Sequence, residues 1–70
     1  MSGQTADKLV YMANQIARNL AHDDRPAASV AHHITEFWTR SMTDALLAHG
    51  SADLDPVVAE ALGLIRAKLT

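Results

Sequence analysis

Apolar residues return every three or four positions along almost the whole chain, and that period commits it to packed helices. In the stretch "KLVYMANQIARNLAH", Leu9, Met12, Ala13, Ile16, Ala17 and Leu20 share one stripe, with Tyr11, Asn14, Gln15 and Arg18 on the opposite side. Thr5 is suited to cap this segment, and Asp7 falls in the first turn, where the helix dipole favours a negative charge. The spacing predicts a helix over 6–21.

The stretch "HDDRPAAS" interrupts the pattern. Asp23 and Asp24 can cap, and Pro26 is tolerated only in the first turn of a new helix. The next stripe is Ala27, Val30, Ile34 and Phe37, with His33 and Trp38 at its flanks. Were that helix to continue unbent, Met42, Ala45, Leu46 and His49 would form its next apolar face. At about 100° per residue the two faces lie roughly a quarter turn apart and cannot share one groove. An elbow is therefore expected near Trp38–Ser41, with Thr39 or Ser41 capping a short third helix. Gly50 is a natural stop for that helix. Asp55-Pro56 then places a capping acid before a proline at the first helical position. The last stripe is Leu54, Val58, Ala61, Leu62, Ile65 and Leu69, with Gly63 facing outward. With no strand signal or repeat, the expectation is an all-α fold. It is a small compact bundle of three to four short helices, about 6–21, 26–38, 41–49 and 56–69, in a single domain 1–70 with a flexible N-terminus over 1–5.

Seventy residues give such a bundle a small core, worth only about 3–5 kcal/mol of stability on its own. The chain has no cysteine, so no disulfide adds to it, and the absence fits a reducing compartment. A metal ion or a partner protein are the remaining supplements. Six Lys and Arg stand against eight Asp and Glu, and the basic residues are dispersed, so the clustered cations that nucleic-acid binding needs are missing. The N-terminus lacks the basic and apolar regions of a secretory signal, and no apolar run approaches the roughly 18 residues of a membrane span. The expected setting is cytoplasmic, with neither nucleic acid nor membrane as partner.

Candidate chemistry is sparse. His32 and His33 project about 100° apart on a helix and cannot hold one ion together, and no histidine pair has i, i+4 spacing. No G-x-S-x-G elbow surrounds any serine, and Gly3, Gly50 and Gly63 stand alone rather than forming a phosphate loop. Glu36 and Asp44 read as solvated surface charges. A bundle this small has little capacity for an enclosed pocket, so the chain is not expected to be an enzyme by itself. What remains is surface. Tyr11, near Asn14 and Arg18 and outside the apolar stripe, matches the Tyr, Trp and Arg enrichment of protein interfaces. An ordinary solvated helix face is the competing reading of those residues, and Trp38 is expected to complete the core.

Two blocks carry a resemblance. "DKLVYMANQIARNL" is similar to a K-L-V-x-M-A-N-Q-I-A block, through Lys8, Leu9, Val10, Met12, Ala13, Asn14, Gln15, Ile16 and Ala17. "VAHHITEFWTRSM" is similar to a V-A-x-H-[LI]-x-x-F-W-x-x-x-M block, through Val30, Ala31, His33, Ile34, Phe37, Trp38 and Met42. Both are marks of the delta subunit of cytoplasmic, molybdenum-containing, NAD-dependent formate dehydrogenases, and "LDPVVAEAL" resembles a weaker closing segment of that family. Where the family often has an Asp/Glu-Pro-Arg run after the Trp, this chain has Thr39, Arg40 and Ser41. Tyr11 stands where a basic residue is frequent.

The resemblance implies a non-catalytic accessory subunit within an alpha-beta-gamma-delta complex, docked on the alpha subunit. It implies no cofactor in this chain. A bis-molybdopterin guanine dinucleotide molybdenum centre and iron–sulfur clusters would belong to the alpha subunit, and FMN, further clusters and the NAD site to the beta and gamma subunits. The implied role is assembly, cofactor maturation or stability of the formate-oxidising enzyme. A transient assembly chaperone or free-standing helical adaptor is the alternative; a small metal-binding or acid–base enzyme using the histidines is a third. The expected partner interface comprises Tyr11, Met12, Asn14, Gln15 and Arg18 on the first helix, with His33, Phe37, Trp38 and Met42 around the elbow.

Overall fold

A computed structural model describes residues 6–50 and 52–69, the last by its backbone alone. The described residues form four helices and no strand: α1 (Ala6–Asn19), α2 (Pro26–Phe37), α3 (Arg40–His49) and α4 (Pro56–Leu69). The Thr5 cap, the segment 1–5 and the Leu69 side chain lie outside what is described.

Local chemistry accounts for each boundary. α1 ends two residues before the expected 21. Beyond Leu20, whose N–H still reaches the Ile16 carbonyl at 3.0 Å, the Ala21 N–H turns to the Arg18 carbonyl at 3.4 Å. That switch to i−3 bonding tightens the last turn and closes the helix. α2 opens on Pro26, but neither Asp23 nor Asp24 caps it. Arg25 is the flanking residue and offers no side-chain cap, while the Asp23 carboxylate accepts the Arg25 N–H at 3.3 Å. Proline removes one orphan N–H, so the uncapped start costs less than it would elsewhere.

The elbow lies where the phase shift requires it. Trp38 (φ −89°, ψ 148°) and Thr39 (φ −72°, ψ 160°) are both extended, so α2 stops at Phe37 rather than at 38. The Met42 N–H donates to Thr39 Oγ1 at 3.2 Å, and the Thr43 N–H to the Thr39 carbonyl at 3.0 Å. Thr39, not Ser41, is thus the cap, and α3 starts at Arg40. Threonine does here what a proline would do by restriction, through the alternative hydrogen bond its hydroxyl offers. Gly50 closes α3 at φ 89°; a β-carbon there would meet nothing within 4 Å, so the backbone angle alone makes it a glycine position. α4 restarts as its sequence signal specifies, with the Val57 N–H donating to the Asp55 carboxylate at 2.9 Å behind Pro56.

Leu9, Val30, Ile34, Leu46 and Val58 are the large side chains fully withdrawn from water, one or more from every helix. α1 packs against all three other helices, and α2 with α4 forms the most extensive pair. The radius of gyration, 11.1 Å, is the roughly 11 Å of a compact chain of this length. Three residues depart from the stripes, among them Thr43 on α3, which is buried with its hydroxyl donating to the Thr39 carbonyl at 3.2 Å. Val10 is buried, because a helix with neighbours on three sides buries a wider arc than one stripe. Phe37, expected on the core face of α2, is instead 74% exposed. It is the last residue of its helix, and the chain turns away at Trp38, so no element covers it.

Candidate functional site

The nine residues singled out for contact fall into four groups with different chemistry. Met12, Trp38 and Met42 are partly buried and pack against the core, so Trp38 fills space within the fold. Tyr11, Gln15 and Arg18 stand on the outer side of α1: Tyr11 is 68% exposed, and the Arg18 guanidinium donates to Gln15 Oε1 at 3.2 Å.

Asn14 stands apart from that face. Its Nδ2–H donates to the Asp53 carbonyl at 3.0 Å, and its Oδ1 accepts the Asp55 N–H at 2.8 Å. One amide thereby holds the loop between α3 and α4 against the middle of α1. Asp53 needs holding, since its φ of 66° lies in the left-handed region that L side chains adopt at a cost of about 1 kcal/mol. The second bond sits beside the Asp55 cap, so the same amide sets the register at which α4 begins.

The fourth group is His33 and Phe37, one turn apart on α2. Their ring centroids are 4.8 Å apart at 43°, a tilted contact that orients the exposed phenyl ring. With Leu20 at the end of α1 they line an open hollow of about 450 Å³, whose far edge is Asp23, Asp24 and Arg25.

Three features escaped the sequence reading. Leu64 is 43% exposed on α4 although it is a leucine. The Arg66 guanidinium donates to the Leu47 carbonyl at 2.9 Å, tying α4 to α3. His49 has its Nδ1 withdrawn from solvent without a hydrogen-bond partner. Spacing already set Leu64 off the last stripe and His49 on the apolar face of the third helix, but the Arg66 bond and the unpartnered His49 Nδ1 depend on which helix lies opposite. His49 has no companions for ligation: among the described residues no three His, Cys, Asp or Glu side chains are placed to hold one metal ion. No helix among them is long and apolar enough to cross a membrane.

Fold and surface together define a small all-α protein that keeps aromatic side chains exposed outside a closed core. Residues 8–62 match the family model described as NADH-dependant formate dehydrogenase delta subunit FdsD, and the chain belongs to that family. The match spans both sequence blocks, the elbow and the start of α4. No curated protein and no solved structure matches the chain.

Proposed function

We propose that this chain is a non-catalytic accessory subunit of NADH-dependent formate dehydrogenase, that it docks on the alpha subunit, and that it supports assembly, cofactor maturation or stability there. The observation that carries the reading is the family match over residues 8–62. The surface agrees with it: Tyr11 and Phe37 are large, exposed and outside the core, and such side chains supply the anchors of protein interfaces. On this reading the molybdenum centre, the iron–sulfur clusters, FMN and the NAD site belong to the other subunits. The donor set of this chain is consistent with that division, since it has no thiolate to ligate a cluster. Its setting is the cytoplasm, where the enzyme oxidises formate and passes the electrons to NAD.

The test is the complex made without this chain. The expected result is a loss of molybdenum per alpha subunit, or incomplete association of the subunits, reversed by restoring the chain. An intact, fully loaded and equally stable enzyme would overturn the proposal. Stoichiometric retention through purification marks a resident subunit, whereas loss on purification with the same maturation defect marks the transient chaperone instead.

A further inference from the structure

Among the described residues, apolar exposure, concavity and unbalanced charge coincide on the outer side of α2. α2 is a ridge that drops at Ala28, an exposed residue with only a methyl side chain. Three open hollows of about 450, 510 and 480 Å³ meet there, each lined in part by Ala28. One lies toward the end of α1, with Phe37 at its edge; the other two lie toward α4 and share Leu64. Two of the three large hydrophobic side chains exposed among the described residues thus flank a low crossing point on a helix. Small residues at a crossing let two helix backbones approach, and hollows on either side accept the ridges of the second helix.

Charge says what kind of helix. Asp23, Asp24, Glu36 and Glu60 line these hollows, against Arg25 and Lys68. The other four acids of the chain, Asp7, Asp44, Asp53 and Asp55, are matched in number by Lys8, Arg18, Arg40 and Arg66. The entire formal charge of −2 therefore resides on this one face. A second copy of the chain is a poor occupant, because a two-fold contact would set the acidic face against itself.

Resting on the docking reading above, the geometry points to a specific occupant. The outer side of α2 receives a helical segment of a formate dehydrogenase subunit that crosses near Ala28, with apolar side chains in the flanking hollows and Lys or Arg at its margins. Its apolar stripe fills the space beside Phe37 and Leu64, and its basic margins meet the four acids. Complementary charge of this kind governs association rate and partner choice, and it weakens as salt rises.

The experiment uses the whole complex carrying Ala28→Arg in this chain, with Ala48→Arg as the matched change at an exposed alanine on α3. Both variants are first checked for unchanged helicity. The expected result is that Ala28→Arg is lost from the purified complex while Ala48→Arg is retained. Retention of Ala28→Arg, or equal release of Ala48→Arg, overturns the assignment of the face. Asp23→Lys with Asp24→Lys is expected to weaken association about tenfold at low salt, with the difference shrinking as salt is raised; a salt-independent effect overturns the basic occupant. A photo-crosslinker at position 28 should capture a helical peptide rich in Lys or Arg, and capture of a second copy or of an acidic segment overturns the same point. Failure of the unaltered chain to accompany the complex would sink the docking reading itself, a result separable from failure of Ala28→Arg alone.

Discussion

The region around Asn14 and the region around Phe37 use their side chains in opposite ways. Both residues stand in the two sequence blocks shared with the family, and both are side chains whose placement the apolar stripes misjudge. At Asn14 every polar valence of importance is turned inward, onto a loop 39 and 41 residues away in sequence. At Phe37 a large apolar ring is turned outward, in tilted contact with His33. A conspicuous residue can thus serve the fold or a partner, and the distinction is whether its natural interaction is already satisfied within the chain.

That contrast can be broken by measurement. Asn14→Ala should have the largest effect on stability, about 1–3 kcal/mol, because it leaves the Asp55 N–H and the Asp53 carbonyl without their partner. Urea unfolding followed by circular dichroism reads this directly, and a loss under about 0.5 kcal/mol would mean that water replaces the amide. Thr39→Ala removes the cap of α3 and should cost about 1 kcal/mol in the same assay. Thr39→Ser, which keeps the hydroxyl, should recover most of it.

Asp53→Gly has the opposite sign. Relief of the left-handed backbone should raise stability by up to about 1 kcal/mol, offset in part by the greater freedom of glycine in the unfolded chain. A clear destabilisation would show that the Asp53 side chain, and not only its carbonyl, secures the loop. Phe37→Ser should leave the unfolding midpoint nearly unchanged, within about 0.5 kcal/mol, while weakening retention in the enzyme complex. Were Phe37→Ser as damaging to folding as Asn14→Ala, the two regions would not differ in kind.

Helix boundaries were the most legible part of the chain. Pro26, Thr39, Gly50 and Asp55-Pro56 act through their own backbone restrictions or through hydrogen bonds to residues two to four positions away. Short-range devices of this sort can be read without knowing the fold. The quarter-turn shift between the stripes of α2 and α3 revealed the elbow for a related reason: an apolar face out of phase must turn to reach a common core. Where local signals competed, the reading was less sure. Asp23 bonded the chain next to it rather than capping α2, and Thr39 prevailed over Ser41.

The candidate surface was legible only in part. Tyr11 could be placed outside, since it falls far from the stripe of α1, and the two family blocks identified the chain. Asn14, on the same side by spacing, was drawn under the α3–α4 loop. Phe37 was left bare because its helix ends there and the chain turns away.

Period, punctuation and motif therefore dictated a bundle of three to four helices, their limits to within two residues, and the family. All of these depend on interactions between residues close in the chain, or on residue identity alone. The tertiary structure decided which side chains are satisfied within the fold and which are left for others. It also gathered the uncompensated acids on one face of α2 beside Phe37 and Leu64. Those outcomes depend on which helix lies opposite which, and no local pattern of residues encodes that.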